Sequence, residues 1–189
     1  GKGPKKKGWG KTALDPKELN DEDVLGLNHG LSRTVVIDGD NLDLTRKCFE
    51  FIGLDVDAML GNPPAYVGNP ERRKWLYKLP DGFVPDGVKK LTTKVDDKVV
   101  TIFEVRGAPA DKEVQDVLPP SPHKETGGNY RWLNDLPPRD ELPELPKALL
   151  DVWSNWAEWR QHFKLPLGER VPAPKDAQTA AKGAVVMPD

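Results

Sequence analysis

The segment Arg33-Thr34-Val35-Val36-Ile37-Asp38-Gly39-Asp40-Asn41 runs from β-branched apolar residues into two carboxylates separated by one glycine. Such an apolar run favours a strand. Residues i and i+2 of a strand share a face, so Asp38 and Asp40 would present paired oxygens at its C-terminal end. Carboxylates held that close repel unless a cation lies between them, and magnesium is commonly held by one or two carboxylates together with substrate phosphates. Asp, Gly and Asn are also ordinary turn residues, so an acidic turn and a metal site both fit this stretch taken alone.

Working outward, Asp15 and Pro16 read as the start of a short helix reaching Val24, and Asp43 to Ile52 is amphipathic at helical spacing and stops at Gly53. A strand is expected over Ala65–Leu79, with Gly68-Asn69-Pro70 as a turn handing Arg72-Arg73-Lys74 to an alternating segment. That alternation sets Lys74, Leu76 and Lys78 on a cationic face and Trp75, Tyr77 and Leu79 on a core face. Residues 81–98 read as a loop or hairpin, Val99–Gly107 as a second strong strand carrying Glu104, Val114–Leu118 as a third and Tyr130–Leu133 as a fourth. Lys147 to Phe163 reads as one helix whose Trp153, Trp156 and Trp159 pack into a core. The alternation of strands and helices gives an α/β (α+β) domain over residues 1–170, followed by an Ala-, Pro-, Lys- and Gly-rich linker over 171–189.

The single cysteine, Cys48, excludes an internal disulfide and a multi-cysteine zinc site, and its apolar setting suits a buried thiol. No apolar run has the length of a membrane span and no signal peptide is evident, so a cytoplasmic protein is expected. A formal net charge of −2 confines any nucleic-acid contact to local patches. One such patch is the N-terminus, where Lys5, Lys6, Lys7 and Trp9 can meet phosphates and stack on bases, or form a solvated tail. Another is the Arg72–Lys74 triplet.

The ordered set Pro4-Lys5-Lys6-Lys7-Gly8-Trp9, Asn28-His29-Gly30, Asp38-Gly39-Asp40, Leu76-Tyr77-Lys78-Leu79-Pro80, Phe103-Glu104-Val105-Arg106-Gly107, Pro119-Pro120-Ser121-Pro122-His123, Thr126-Gly127-Gly128 and Tyr130-x-Trp132 resembles the primase-polymerase domain of phage and plasmid replication proteins, within the archaeo-eukaryotic primase superfamily. The resemblance implies an RRM-like sheet joined to a second small α/β lobe, with the active site in the cleft between them. It implies template-directed synthesis and extension of primers from nucleoside triphosphates with Mg²⁺ or Mn²⁺, on a single-stranded DNA template. By the same resemblance Asp38, Asp40 and Glu104 are the catalytic carboxylates of a two-metal site. Arg73, Lys74, Arg106, Ser121 and His123 would contact nucleotide, and Lys5, Lys6, Lys7 and Trp9 would contact DNA. A helicase-like domain is expected in the full-length protein.

The sequence departs from the family where its second motif carries a histidine. The matching strand has none, and Lys74 takes that place as a point charge without a ring's directed hydrogen bond. Arg106, sharing a strand face with Glu104, suits a salt bridge or a triphosphate contact. Ser121 and His123 fit a nucleotide contact or a structured turn. The alternatives to a primase-polymerase are a metal-dependent nuclease, since two aspartates and a distant glutamate also serve phosphodiester hydrolysis, and a nucleotide- or DNA-binding module with weak catalysis.

Overall fold

The computed structural model describes residues 15, 17, 23–60 and 62–169. The expected helix from Pro16 and the Lys5, Lys6, Lys7 and Trp9 patch lie largely or wholly outside these residues, as does the 171–189 linker; Val24, which is described, is not helical.

The apolar run at the centre of the sequence becomes β2 (Thr34–Gly39), the third strand of a six-stranded sheet. With β3 (Ala65–Val67), β4 (Arg73–Lys78), β5 (Lys89–Val95), β6 (Lys98–Arg106) and β8 (Arg131–Trp132), the order is β5-β6-β2-β4-β3-β8, antiparallel throughout. A separate antiparallel ribbon joins β1 (Gly26–Asn28) to β7 (Gln115–Val117), and the one-turn helix α1 (His29–Ser32) leads from β1 into β2. This mixed α+β architecture agrees with the expected fold class.

Both faces of β2 are covered, for different reasons. Val35 and Ile37 join Trp75, Tyr77, Phe103 and Val105 under three helices, α2 (Leu42–Phe51), α3 (Lys147–Ser154) and α4 (Trp156–His162), which contribute Phe49, Leu149 and Trp153 to the core. Asn41 caps α2 by accepting a hydrogen bond from Leu44 N–H at 3.0 Å, and the Asp40 and Asn41 N–H groups both donate to Ile102 O. The acidic end of β2 is thereby fixed to β6. On the opposite face Val36 and Leu76 pack with Tyr66, Tyr130 and Leu142, and residues of the ribbon lean against them.

Several sequence expectations are corrected. The single strand over 65–79 is two antiparallel strands, because the Gly68-Asn69-Pro70 turn reverses the chain. The face expected to be cationic holds Leu76 fully buried, since a second layer covers it. The single helix over 147–163 breaks at Asn155, whose φ/ψ of −109°/36° is not helical and whose side chain binds Asp151. The 81–98 stretch, expected as a loop or a hairpin, is a hairpin arm: β5 is turned into β6 by Asp96 and Asp97, both at positive φ as a tight turn requires. Cys48 is buried as expected, and burial pushes its thiol up to about 12, which leaves it inert at neutral pH.

Candidate functional site

Antiparallel register draws one line of side chains across the sheet. Lys90 faces Glu104, Glu104 faces Asp38, Asp38 faces Lys74, Lys74 faces Tyr66 and Tyr66 faces Trp132. Directly opposed residues share a face, so two carboxylates stand at the centre of the row between two lysines, with aromatic residues beyond. Asp40 follows two residues after Asp38 at the strand's end, where it also lines the open side.

The ribbon supplies the other wall. Asp116 of β7 is buried and holds three side chains: Lys74 Nζ at 2.7 Å, Arg106 Nε at 2.8 Å and His29 Nε2 at 2.9 Å. His29 is itself buried and bonds Thr34 Oγ1 through Nδ1 at 2.9 Å. Lys74 also donates to Asp38, so one ammonium spans two carboxylates from different sheets. Arg106 binds Glu104 at 2.6 Å and the Gln115 carbonyl at 3.0 Å, and Lys90 closes on Glu104 at 2.8 Å. At the mouth, Arg72 lies 3.6 Å from Asp40 and 3.4 Å from Glu125.

These contacts fix the charges. Burial opposes ionisation of Asp116, but Lys74, His29 and Arg106 outweigh it and hold its carboxyl far below the usual range. Burial likewise opposes the Lys74 ammonium, yet Asp116 and Asp38 keep it above its ordinary value. Glu104 is held down by Lys90 and Arg106 against its burial. Asp38 and Asp40 go the other way: burial raises both, and at Asp40 the charges of Asp38 and Glu104 add to the rise.

The result is a cleft of about 370 Å³ between sheet and ribbon, walled by Asp38, Asp40, Lys74, Arg106, Asp116 and Tyr66 among others. A family model described as bifunctional DNA primase/polymerase, N-terminal, matches residues 2–148. The chain belongs to the Prim-Pol family. No curated protein and no solved structure matches it. Family membership implies nucleotidyl transfer of the primase/polymerase kind. The match ends just inside α3, although α3 and α4 still pack into the core of this Prim-Pol domain. No helix among the described residues is long and apolar enough to cross a membrane.

The Prim-Pol cleft gathers Asp38, Asp40, Lys74, Arg106 and His123, and places Glu104 in the same row beside Asp38. Among the described residues no three His, Cys, Asp or Glu side chains are already arranged to hold a metal ion. The physical reason lies in the pairing above, because Asp38 and Glu104 each face a cation of the chain. Arg106 makes the expected salt bridge to Glu104 and also lines the cleft. Arg73 reaches the cleft only at its rim, since it alternates with Lys74 along β4; burial and the charge of Arg131 lower its guanidinium from the usual value. Ser121 is fully buried, outside the cleft lining, and accepts a hydrogen bond from Leu25 N–H at 2.8 Å. His123 is buried edge-on to Tyr130, with ring centroids 4.9 Å apart, and its Nδ1 meets Thr126 Oγ1 at 3.0 Å.

Sequence reasoning missed Asp116, the paired His29 and Lys90. It also missed why a glycine stands at 68: a Cβ there would run into the His123 ring and lie 2.7 Å from Tyr130 Cε1. Gly68→Ala is therefore expected to push both rings from the cleft wall, costing about 1–3 kcal/mol. Denaturant unfolding and near-ultraviolet circular dichroism would register it, and an unchanged midpoint with an unchanged aromatic spectrum would refute the close-packing account.

Proposed function

We propose that this Prim-Pol domain makes and extends primers from nucleoside triphosphates on a single-stranded DNA template, with Asp38, Asp40 and Glu104 as its acidic centre. The observation that carries this reading is that Asp38, Asp40, Lys74 and Arg106 line one cleft of about 370 Å³, with Glu104 beside Asp38 in the cross-strand row. A row of carboxylates flanked by cations is what in-line transfer of a nucleotidyl group needs, because such chemistry depends on positioning and charge stabilisation.

The donor set suits magnesium or manganese. Hard oxygen ligands are what these cations take, and a divalent cation would offset both the burial and the Asp38 and Glu104 charges that raise Asp40. Asp38, Asp40 and Glu104 would hold it, and it would supply charge stabilisation at the reacting phosphate. The remaining work belongs to the chain. Lys74 and Arg106, held by Asp116, present fixed positive charge to phosphates, and Arg72 adds a partly exposed guanidinium at the mouth. With nucleotide bound, Lys74 would exchange its bond to Asp38 for one to a phosphate oxygen while keeping Asp116.

The Lys74–Asp38 ion pair also motivates a second reading, a nucleotide-binding module in which the pairing blocks catalysis. Primer synthesis with labelled nucleotide on single-stranded template separates the two. Template-dependent products from the native protein, lost in the Asp38→Ala, Asp40→Ala variant, are the expected result. Equal product from both proteins would remove the acidic centre, triphosphate binding without product would favour the idle module, and template degradation without extension would indicate a nuclease.

A further inference from the structure

Among the described residues, a buried phenol on a residue lining this cleft is left without a hydrogen-bond partner. Tyr66 of β3 stands opposite Lys74 in the cross-strand row, is wholly buried and lines the cleft. Edge contacts with Tyr130 and Trp132, at centroid separations of 6.2 and 5.0 Å, fix its ring. Its hydroxyl has no hydrogen-bond partner among the described residues. Leaving a buried hydroxyl unpaired costs about 1–3 kcal/mol. Phenylalanine would fill the same space without that cost, so packing alone does not account for the tyrosine.

The nearby carboxylates are already engaged. Asp116 accepts from Lys74, Arg106 and His29, and Asp38 accepts from Lys74. Burial, with Asp116 and Asp38 in the vicinity, raises the phenol well above its ordinary value, so it stays a neutral O–H donor. Its neighbour in the row is the ammonium of Lys74, and a donor beside a cation suits an anionic oxygen. We propose that the Tyr66 hydroxyl donates a hydrogen bond to a phosphate oxygen of the nucleoside triphosphate, next to the contact made by Lys74. This inference rests on the nucleotide reading given above.

Tyr66→Phe in the full chain is the test, because it deletes the hydroxyl and keeps the ring. Thermal unfolding, calorimetric titration with ATP and with dATP in magnesium, and extension kinetics are read together. The expected result is an unfolding midpoint equal to or above the native one, with affinity for both nucleotides reduced together by roughly tenfold, as for loss of one bond to a charged acceptor. KM in extension should rise in parallel. Unchanged affinity would overturn the proposal and leave the phenol a structural group. A lowered midpoint would overturn it too, by showing that the hydroxyl has a partner in the fold. A loss confined to ATP would move the phenol to the sugar and overturn the phosphate assignment. Failure of the native protein to bind either nucleotide would instead bring down the nucleotide reading, and this inference with it.

Discussion

Asp116→Ala is expected to cost about 3–5 kcal/mol of folding stability, the range for removing one partner of a buried ion pair, and to abolish primer extension. Natural domains have only about 5–15 kcal/mol to lose, so the variant should unfold at a much lower denaturant concentration. The cost is high because Asp116 is shared. Lys74 and Arg106 would be left with like charges and one fewer acceptor, and the fully buried His29 would lose its Nε2 partner. Those contacts also tie the β1–β7 ribbon to the six-stranded sheet, so the cleft walls should loosen together. Asp116→Asn keeps the shape and one acceptor oxygen, and should fall between native and Asp116→Ala.

The pH dependence has a definite sign. The folded carboxyl lies far below its ordinary value, so its stabilisation is complete above the unfolded value of about 3.9 and is lost as the pH falls from there toward the folded value. The stability difference between native protein and Asp116→Asn should be flat at neutral pH and shrink only in acid. A midpoint for Asp116→Ala equal to the native one would show that Lys74, Arg106 and His29 do not depend on this carboxylate.

Asp116 was hidden for a physical reason. Asp38, Asp40 and Glu104 are legible because each sits in or at the end of a strongly apolar strand, where a carboxylate is anomalous and its face follows from period-two alternation. Residues 114–118 also read as a strand, but short and of mixed polarity, and nothing local says that it pairs with Gly26–Asn28 rather than joining the main sheet. Only that distant pairing turns Asp116 toward Lys74.

The same contrast separates local from non-local signals in the fold. The α2 helix and its Gly53 stop were readable from spacing, and Gly53 does take a positive φ of 77°. The turn at Gly68-Asn69-Pro70 was readable too, but not that it folds the chain back onto itself, since that depends on Tyr66 finding Lys74 across the strands. The tryptophans at 153, 156 and 159 recur every third residue, which slips around a helix of 3.6 residues per turn. The break at Asn155 restores their inward facing, with Trp153 buried and Trp156 and Trp159 packed at the edge of the core.

Lys74→Met should separate activity from stability where Asp116→Ala does not. Methionine fills much of the same space without charge. Asp116 would keep Arg106 and His29, whereas Asp38 would lose the cation that now opposes its burial. A buried carboxyl in that position takes up a proton rather than remaining charged, so the fold loses the two ion pairs of Lys74 without stranding a cation. Stability should fall by about 1–2 kcal/mol, a typical single-residue effect and well short of Asp116→Ala. Extension should fall by about 10²–10³-fold, as on removing one preorganised charge from a transition state. The same measurement asks whether Lys74 makes a phosphate contact or merely neutralises Asp38. Near-native extension by Lys74→Met would assign Lys74 to neutralisation alone and leave Arg106 and Arg72 as the cations that meet the phosphates.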